Sequence, residues 1–423
     1  MSTALPNSAA RLGLRQLLLA VAGIYVTQSI ITVLITQALP TLLRNEGASL
    51  EIAGLTALLW LPWGIRFLWA PYIERWRLPQ GVAERRSRKI VLLGQWLMAL
   101  ILFVIGVVCW FEQLSLVSHI GWILGALLLA ALVAATADIA CDGFVVDQLS
   151  EGRRGWGNSI QVGGAYLGAM LGSGGFLLLV RWWGWEVALI ATGLVILLLT
   201  TPMVMTKEPA RQSHVETNHQ PSLWYALRRP EVRLGLLMLL VSSVGIRLSL
   251  GMFGPFLLDK GMSLDQVGWL FGSLYIGAGL GGAVAGGFFV RFVPGWRAVW
   301  IAVGVKACVL ALLAIAAPTA SLSVVTWLVV VMFAVMGVLW VALYSTLMSL
   351  ASPLQAGVDF TMFQSGDALL AGVAGVLAGW LSQHFGYATC FGLAAVLTLI
   401  GTVMVRQQDQ KANSHVAVDV VQG

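Results

Sequence analysis

Long apolar runs separated by short polar connections dominate the hydropathy pattern of this chain. Each of twelve runs is long enough for an α-helix to cross the hydrocarbon core of a bilayer. They cover residues 14–39, 52–72, 90–111, 120–147, 157–180, 185–205, 232–258, 265–290, 298–317, 323–349, 357–382 and 387–405. The pattern predicts an all-α membrane protein of twelve transmembrane helices.

Composition and charge support this prediction and add an orientation. The 423 residues are 58% hydrophobic and only 10% charged, whereas about a quarter of the residues of a soluble protein are charged. Most of the 25 lysines and arginines fall in connections that lie inside the cell if the N-terminus does. The positive-inside rule therefore predicts that both termini are cytoplasmic.

An internal repeat divides the chain. Gly47 and Ser49 after the first apolar run recur as Gly261 and Ser263 after the seventh, and the Gly184 turn recurs at Gly386. Both offsets are close to half the chain, as expected if six helices were duplicated in the same orientation. We therefore predict an N-terminal bundle at 1–206, a central cytoplasmic loop at 207–231, a C-terminal bundle at 232–406 and a cytoplasmic tail at 407–423.

Twelve spans in two parallel halves, with a basic loop between spans two and three, resemble the major facilitator superfamily. The resemblance implies two pseudo-symmetric six-helix bundles that work by alternating access. It also implies an acid–arginine latch in the basic loop, where Glu74 and Arg75 are the corresponding residues. A loop whose charges only set the topology is the alternative.

Two shorter motifs are similar to one branch of that superfamily. They are the run from Arg66 to Pro71, followed by an acid and Arg75, and the D-I-x-x-D motif from Asp138 to Asp142. Both resemble AmpG-like muropeptide permeases and acetyl-CoA transporters, and most closely the siderophore permeases of the RhtX/FptX type. The resemblance implies import of an iron–siderophore complex across the bacterial inner membrane.

The acids of the fourth span are the predicted proton-coupling residues. Asp138 and Asp142 are four residues apart and share a helix face, so their negative charges repel. A charge at mid-bilayer depth is costly, and we expect one of the two to take up a proton near neutral pH. Structural pairing with Arg66 is the alternative. Asp147 is expected to cap the span or to pair with Arg153 or Arg154.

The predicted substrate contacts combine cations, aromatic rings and amides. Trp63 and Trp69 flank Arg66, and a bend is expected at Pro62, between Trp60 and Trp63. In the second half, Arg247 is expected to pair with Asp367, and Lys306 to extend towards the membrane surface. The set predicted to bind substrate is Arg66, Trp60, Trp63, Gln28, Gln161, Arg247, Gln364 and Asp367.

Other functional classes have little support in the sequence. The five histidines are scattered in loops and chain ends, so neither a metal site nor a cofactor is expected. The chain has no Walker A motif for ATP and no nucleophile constellation of an enzyme. The expected partners are a small-molecule substrate, protons and the bilayer, without nucleic acid, and a monomer is expected. A muropeptide permease or an exporter is the alternative to siderophore import.

Overall fold

The computed structural model describes residues 12–79, 84–148, 154–210, 223–293, 295–350 and 356–422. All regular structure in this part of the chain is helical. The helices are α1 (Leu14–Asn45), α2 (Leu50–Leu68, continued by Ala70–Arg77), α3 (Ser87–Glu112), α4 (Ile120–Gln148), α5 (154–183), α6 (Trp185–Val204), α7 (Pro230–Asp259), α8 (Leu264–Phe292), α9 (Trp296–Thr319), α10 (Leu322–Leu350), α11 (356–385) and α12 (387–422). A short helix, Leu223–Arg228, precedes α7.

The described helices account for twelve membrane crossings. Ten segments are long and apolar enough to cross, and the bent α2 makes an eleventh. One of the ten, Thr361–Ala412, has 52 residues; at 1.5 Å per residue it is more than twice as long as a bilayer core is thick, roughly 30 Å. Gly386, with φ 81° and ψ 164°, interrupts this segment and separates α11 from α12. The all-α prediction is confirmed.

The internal repeat is visible in the backbone. Ser49 caps the start of α2 by accepting a hydrogen bond from the Ile52 amide, and Ser263 begins α8 with a capping box. The 3₁₀ turn Thr56–Trp60 in α2 has its counterpart 214 positions later in the π-helical turn Leu270–Leu274 of α8. Gly184 and Gly386 both adopt positive φ, which lets two helices follow each other without a loop.

Helix α2 is bent, but not at the expected proline. Pro62 lies at the start of the regular segment Leu61–Ile65, where a missing amide donor is tolerated. The sharp change of direction, 62°, falls instead between Leu68 and Ala70, just before Pro71. Arg66 lies in the 3₁₀ turn that leads into this bend. The expectation of a bend at Pro62 is therefore wrong by about two turns.

The two halves pack closely at one end of the bundle. We call the end where α1 begins the termini side and the opposite end, with the α1–α2 and α7–α8 turns, the far side. Near the far side, a Cβ atom on Gly174 of α5 would lie 2.2 Å from Cα of Gly272 in α8. A Cβ on Gly54 of α2 would lie 2.8 Å from Cα of Gly379 in α11. These glycines allow the helices of opposite halves to approach backbone to backbone.

Polar contacts also join the halves on the far side. Arg44 of α1 forms an ion pair with Asp259 of α7, with Nε 2.7 Å from Oδ1. The Tyr387 hydroxyl donates to the same carboxylate at 2.8 Å. The Leu50 amide donates to Oε1 of Gln383 at 2.8 Å. The Arg44–Asp259 and Leu50–Gln383 contacts join the two halves, and the Tyr387 bond, within the C-terminal half, supports the Asp259 carboxylate.

Candidate transport site

The first charged cluster is centred on Arg66, at mid-depth of the bundle. Arg66 is only 4% exposed and forms an ion pair with Asp138 of α4. Its Nη2 donates to Oε1 of Gln364, on α11 of the other half, at 2.5 Å. Its Nε has no hydrogen-bond partner among the described residues. Arg66 is therefore held by an acid of its own half and an amide of the opposite half.

Asp142 lies one turn along α4 from Asp138. The Tyr25 hydroxyl of α1 donates to its Oδ1 at a long distance, 3.4 Å. Among the described residues, no cation lies within ion-pairing distance of Asp142. Only Asp138 is paired with Arg66, so the cluster has two carboxylates for one guanidinium, one more acid than base.

The second charged cluster lies in the C-terminal half. Arg247 of α7 forms a two-pronged ion pair with Asp367 of α11, in which Nε lies 3.1 Å from Oδ1 and Nη2 binds Oδ2. The guanidinium carbon also lies 5.2 Å from the ring centroid of Trp60 and 5.5 Å from that of Trp340. Such stacking suits a guanidinium in a dry site.

The two clusters are linked crosswise through the halves. Gln364 of the C-terminal half binds the cation of the first cluster, and Trp60 of the N-terminal half covers the cation of the second. A cavity between the halves is lined by Trp60, Arg247, Thr36, Gly251 and other residues of α1, α2, α7 and α11. Arg247 therefore lines a cavity between the halves.

Lys306 of α9 does not extend to the membrane surface, and that expectation is wrong. Its side chain is fully buried, and its Nζ donates to the backbone carbonyl of Ser242 on α7. Across the described residues, no carboxylate lies within 4.0 Å of the ammonium.

The remaining predicted substrate residues are packed differently from one another. Trp63 is 8% exposed, belongs to the apolar core, and its carbonyl accepts from the Ser365 hydroxyl at 3.3 Å. Gln28 is 8% exposed, and its Nε2 has no partner in the described part of the chain. Gln161 is half-buried. Gln28 thus has a free donor at depth, whereas Trp63 contributes to packing.

The termini-side acid–arginine network uses a different arginine from the one indicated by the motif. Glu74 pairs with Arg77, not with the exposed Arg75. Arg77 also binds Asp147 of α4, with Nη1 2.5 Å from Oδ2. The expected partner Arg153 lies outside the described residues. Arg77 therefore ties the end of α2 to the end of α4.

Sequence reasoning missed three residues of the site. Tyr25 is three residues before Gln28 in the first span, on nearly the same helix face. This second polar side chain at a similar depth was the signal that could have indicated Tyr25 as a site residue. Arg77 was visible as a second basic residue on the turn after Glu74. Trp340 stacks on Tyr344 at 5.2 Å between ring centroids, and this i, i+4 aromatic pair was its signal.

These features define the class of protein: a helical membrane transporter built from two halves, with charged clusters buried between them. The sequence profile of the Major Facilitator Superfamily matches residues 17–369. The chain belongs to that family.

Comparisons with individual proteins agree with the family. An uncharacterized protein of Haemophilus influenzae is 25% identical over 405 residues, which cover 90% of this chain and 93% of that protein. The anhydromuropeptide permease of Escherichia coli K12 is 26% identical over 266 residues, 60% of this chain and 52% of the permease.

Solved structures show the same fold. Two crystal structures of a bacterial homologue of the human lysosomal transporter Spinster, both inward-facing, superpose with 16% sequence identity. The unoccupied form has a TM-score of 0.66 and covers 92% of this chain and 94% of that one. The occupied form has a TM-score of 0.70, with 93% and 96% covered.

Proposed function

We propose that this protein imports an anionic organic solute across the bacterial inner membrane by proton-coupled alternating access. The observation that supports this most is the opposite imbalance of the two buried clusters. The first has two acids for one guanidinium, Arg66, and the second has two cations, Arg247 and Lys306, for one acid. A proton neutralises the first imbalance, and a solute carboxylate neutralises the second.

The proton acts at Asp138 and Asp142 in this proposal. A carboxylate at mid-bilayer depth costs several kcal/mol unless it is paired or protonated. Protonation of Asp138 weakens its ion pair with Arg66, and the Arg66 guanidinium also binds Gln364 of the other half. Proton binding thus changes a contact between the two halves. Glu74 and Arg77 form the termini-side latch in the same proposal, with Arg75 outside it.

The solute binds at Arg247 in this proposal. Its guanidinium suits a carboxylate, because its parallel donors match the two oxygens, and Trp60 and Trp340 offer ring faces beside it. The cargo indicated by the sequence motifs is the ferric complex of a carboxylate-bearing siderophore. The likeness to an anhydromuropeptide permease supports a second candidate, a muropeptide, which carries carboxylates and sugar rings.

The orientation rests on the positive-inside rule, which puts the termini side in the cytoplasm, and the direction of transport rests on the family resemblance. The glycine contacts and the Arg44–Asp259 pair hold the halves together at the far side. A cycle in which these contacts open towards the periplasm admits the solute.

Uptake into proteoliposomes tests the proposal. The purified protein is reconstituted with a pH-sensitive dye inside, and radiolabelled ferric siderophores or a labelled anhydromuropeptide are added outside under an inward proton gradient. We expect accumulation of one cargo together with acidification of the lumen that depends on that cargo. A protonophore, which dissipates the gradient, should abolish the accumulation.

Two controls make the result decisive. Liposomes with the Asp142→Asn variant should exchange labelled for unlabelled cargo without accumulating it. Accumulation that persists without a proton gradient would remove the coupling. Failure of every anionic cargo, alongside transport of a neutral or cationic one, would refute the anion proposal.

A further inference from the structure

Lys306 is a fully buried basic side chain, and the proposed cycle counts its charge without giving it a contact with solute or proton. It is among the largest fully buried side chains of the described chain. An ammonium group has three N–H donors, and the structure uses one of them, to the Ser242 carbonyl. A cation in such surroundings destabilises the fold by several kcal/mol unless an anion compensates it.

The acid of the neighbouring cluster is Asp367. The Nζ of Lys306 contacts α7 at the Ser242 carbonyl, five residues before Arg247 and so about 7.5 Å along the helix axis, while both oxygens of Asp367 are engaged by Arg247. Tyr344 on α10 is the further titratable side chain of this group. In the present state, therefore, Arg247 holds the carboxylate and Lys306 is left with a backbone carbonyl.

We propose that Lys306 is the reserve counter-ion of Asp367, which takes over this carboxylate when Arg247 turns to bind the anionic solute. The inference rests on the proposed function at Arg247. It explains why a lysine is retained in a dry helix interface. With solute bound, the cations Arg247 and Lys306 are matched by two anions, Asp367 and the solute carboxylate. The buried charge of the C-terminal half is then balanced.

A backbone role is the competing account of Lys306. In that account, the lysine only ties α9 to the Ser242 carbonyl of α7, and removing it weakens the fold by the same amount whatever occupies position 247. The reserve role requires the opposite: the effect of removing Lys306 depends on whether Arg247 is present.

A double-mutant cycle on melting temperature separates the two accounts without any cargo. The proteins are the wild type, Lys306→Met, Arg247→Met and the double variant, each purified in detergent micelles. Arg247→Met stands in for an arginine that is engaged elsewhere. With Arg247 present, Lys306→Met should leave the melting temperature unchanged or raise it, because it removes an under-compensated charge.

Without Arg247, Lys306→Met should lower the melting temperature by about 3 °C or more, because Asp367 then has no cation. An equal effect of Lys306→Met in both backgrounds would overturn the reserve role. If Arg247→Met does not yield folded protein, an Asp367→Asn background replaces it: Lys306→Met should raise the melting temperature there, and a drop would overturn the proposal.

Lys260 is the matched control. Its Nζ also contacts backbone carbonyls, those of Pro318 and Ala320 at 3.5 and 3.3 Å, but it lies at the far-side end of the bundle. Lys260→Met should have the same effect whether or not Arg247 is present. The double-mutant cycle measures stability and needs no transport. A negative result in it would refute the reserve role without refuting the proposed function, and a failed uptake assay would not affect its interpretation.

Discussion

The two halves of this transporter share a scaffold but differ in buried charge. The N-terminal half has two acids on one helix face, Asp138 and Asp142, and pairs one of them with Arg66. The C-terminal half pairs Arg247 of α7 with Asp367 and places a second basic side chain, Lys306, against a backbone carbonyl of α7. The helix caps, positive-φ glycines and irregular turns repeat between halves, whereas the charged residues do not. Duplication therefore accounts for the backbone, and each half then acquired its own chemistry.

In the proposed cycle, this difference allows the two halves to bind two kinds of partner. An excess of acid favours a proton, and an excess of base favours an anion, since each reduces an uncompensated charge in a medium of low dielectric constant. Because Gln364 and Trp60 cross between the halves, a change in either cluster reaches the other half. The predictions below alter one side of this contrast at a time.

The largest expected effect comes from removing the excess acid. Asp142→Asn should abolish accumulation of cargo against its gradient, while exchange of internal for external cargo continues, because the proton has lost its acceptor. Glu46→Gln, in the exposed far-side turn, is the control and should accumulate normally. Loss of exchange as well as accumulation, with normal protein yield, would show that Asp142 is not specific to coupling.

Removing the cation of the other cluster should act on affinity instead. Arg247→Gln removes a buried, hydrogen-bonded charge, a change that typically weakens binding by about 2–5 kcal/mol, so KM for the anionic cargo should rise roughly 30-fold or more. The initial rate of uptake against cargo concentration measures it. Lys89→Gln, which breaks an exposed ion pair with Glu84, should alter KM less than about threefold. Equal effects of both variants would contradict an anion site at Arg247.

Alternating access requires the two halves to move against each other at their glycine contacts. Gly174→Ala places a methyl group 2.2 Å from Cα of Gly272, and such overpacking costs about 1–3 kcal/mol. Uptake should fall roughly 5- to 100-fold, and a cysteine introduced at Arg44 should react faster with a maleimide. Gly281→Ala on α8, where nothing lies within 4 Å, should transport normally. A similar loss in both variants would point to general destabilisation.

The smallest expected effect comes from replacing Trp60, the ring of the N-terminal half that covers Arg247 of the C-terminal half. A cation–π contact contributes about 0.5–2 kcal/mol, so Trp60→Leu should raise KM roughly 2- to 30-fold, and Trp60→Phe should raise it less. Trp182→Leu, at a position 60% exposed on the outer surface, serves as the control. An unchanged KM for Trp60→Leu would remove Trp60 from the binding site and leave it as a packing residue.

The partners in the buried ion pairs could not be predicted from the sequence alone. Helical periodicity indicates that Asp138 and Asp142 share a face, yet it cannot say which of them meets Arg66, because that depends on the rotation and depth of α2 relative to α4. The same limit explains Arg77 in place of Arg75 beside Glu74. The two positions between Arg75 and Arg77 turn the side chain by about 200° around the helix, enough to exchange an exposed arginine for a buried one.

By itself, the sequence determined the twelve spans, the repeat and the set of charged residues within the membrane, since length, hydropathy and recurring turns are local properties. The tertiary structure decided the partners: the crosswise contacts of Gln364 and Trp60, the bend before Pro71 and the burial of Lys306. These partners depend on how closely the glycine-lined helices pack against each other. Packing between segments that are distant in sequence cannot be deduced from any single stretch of the chain.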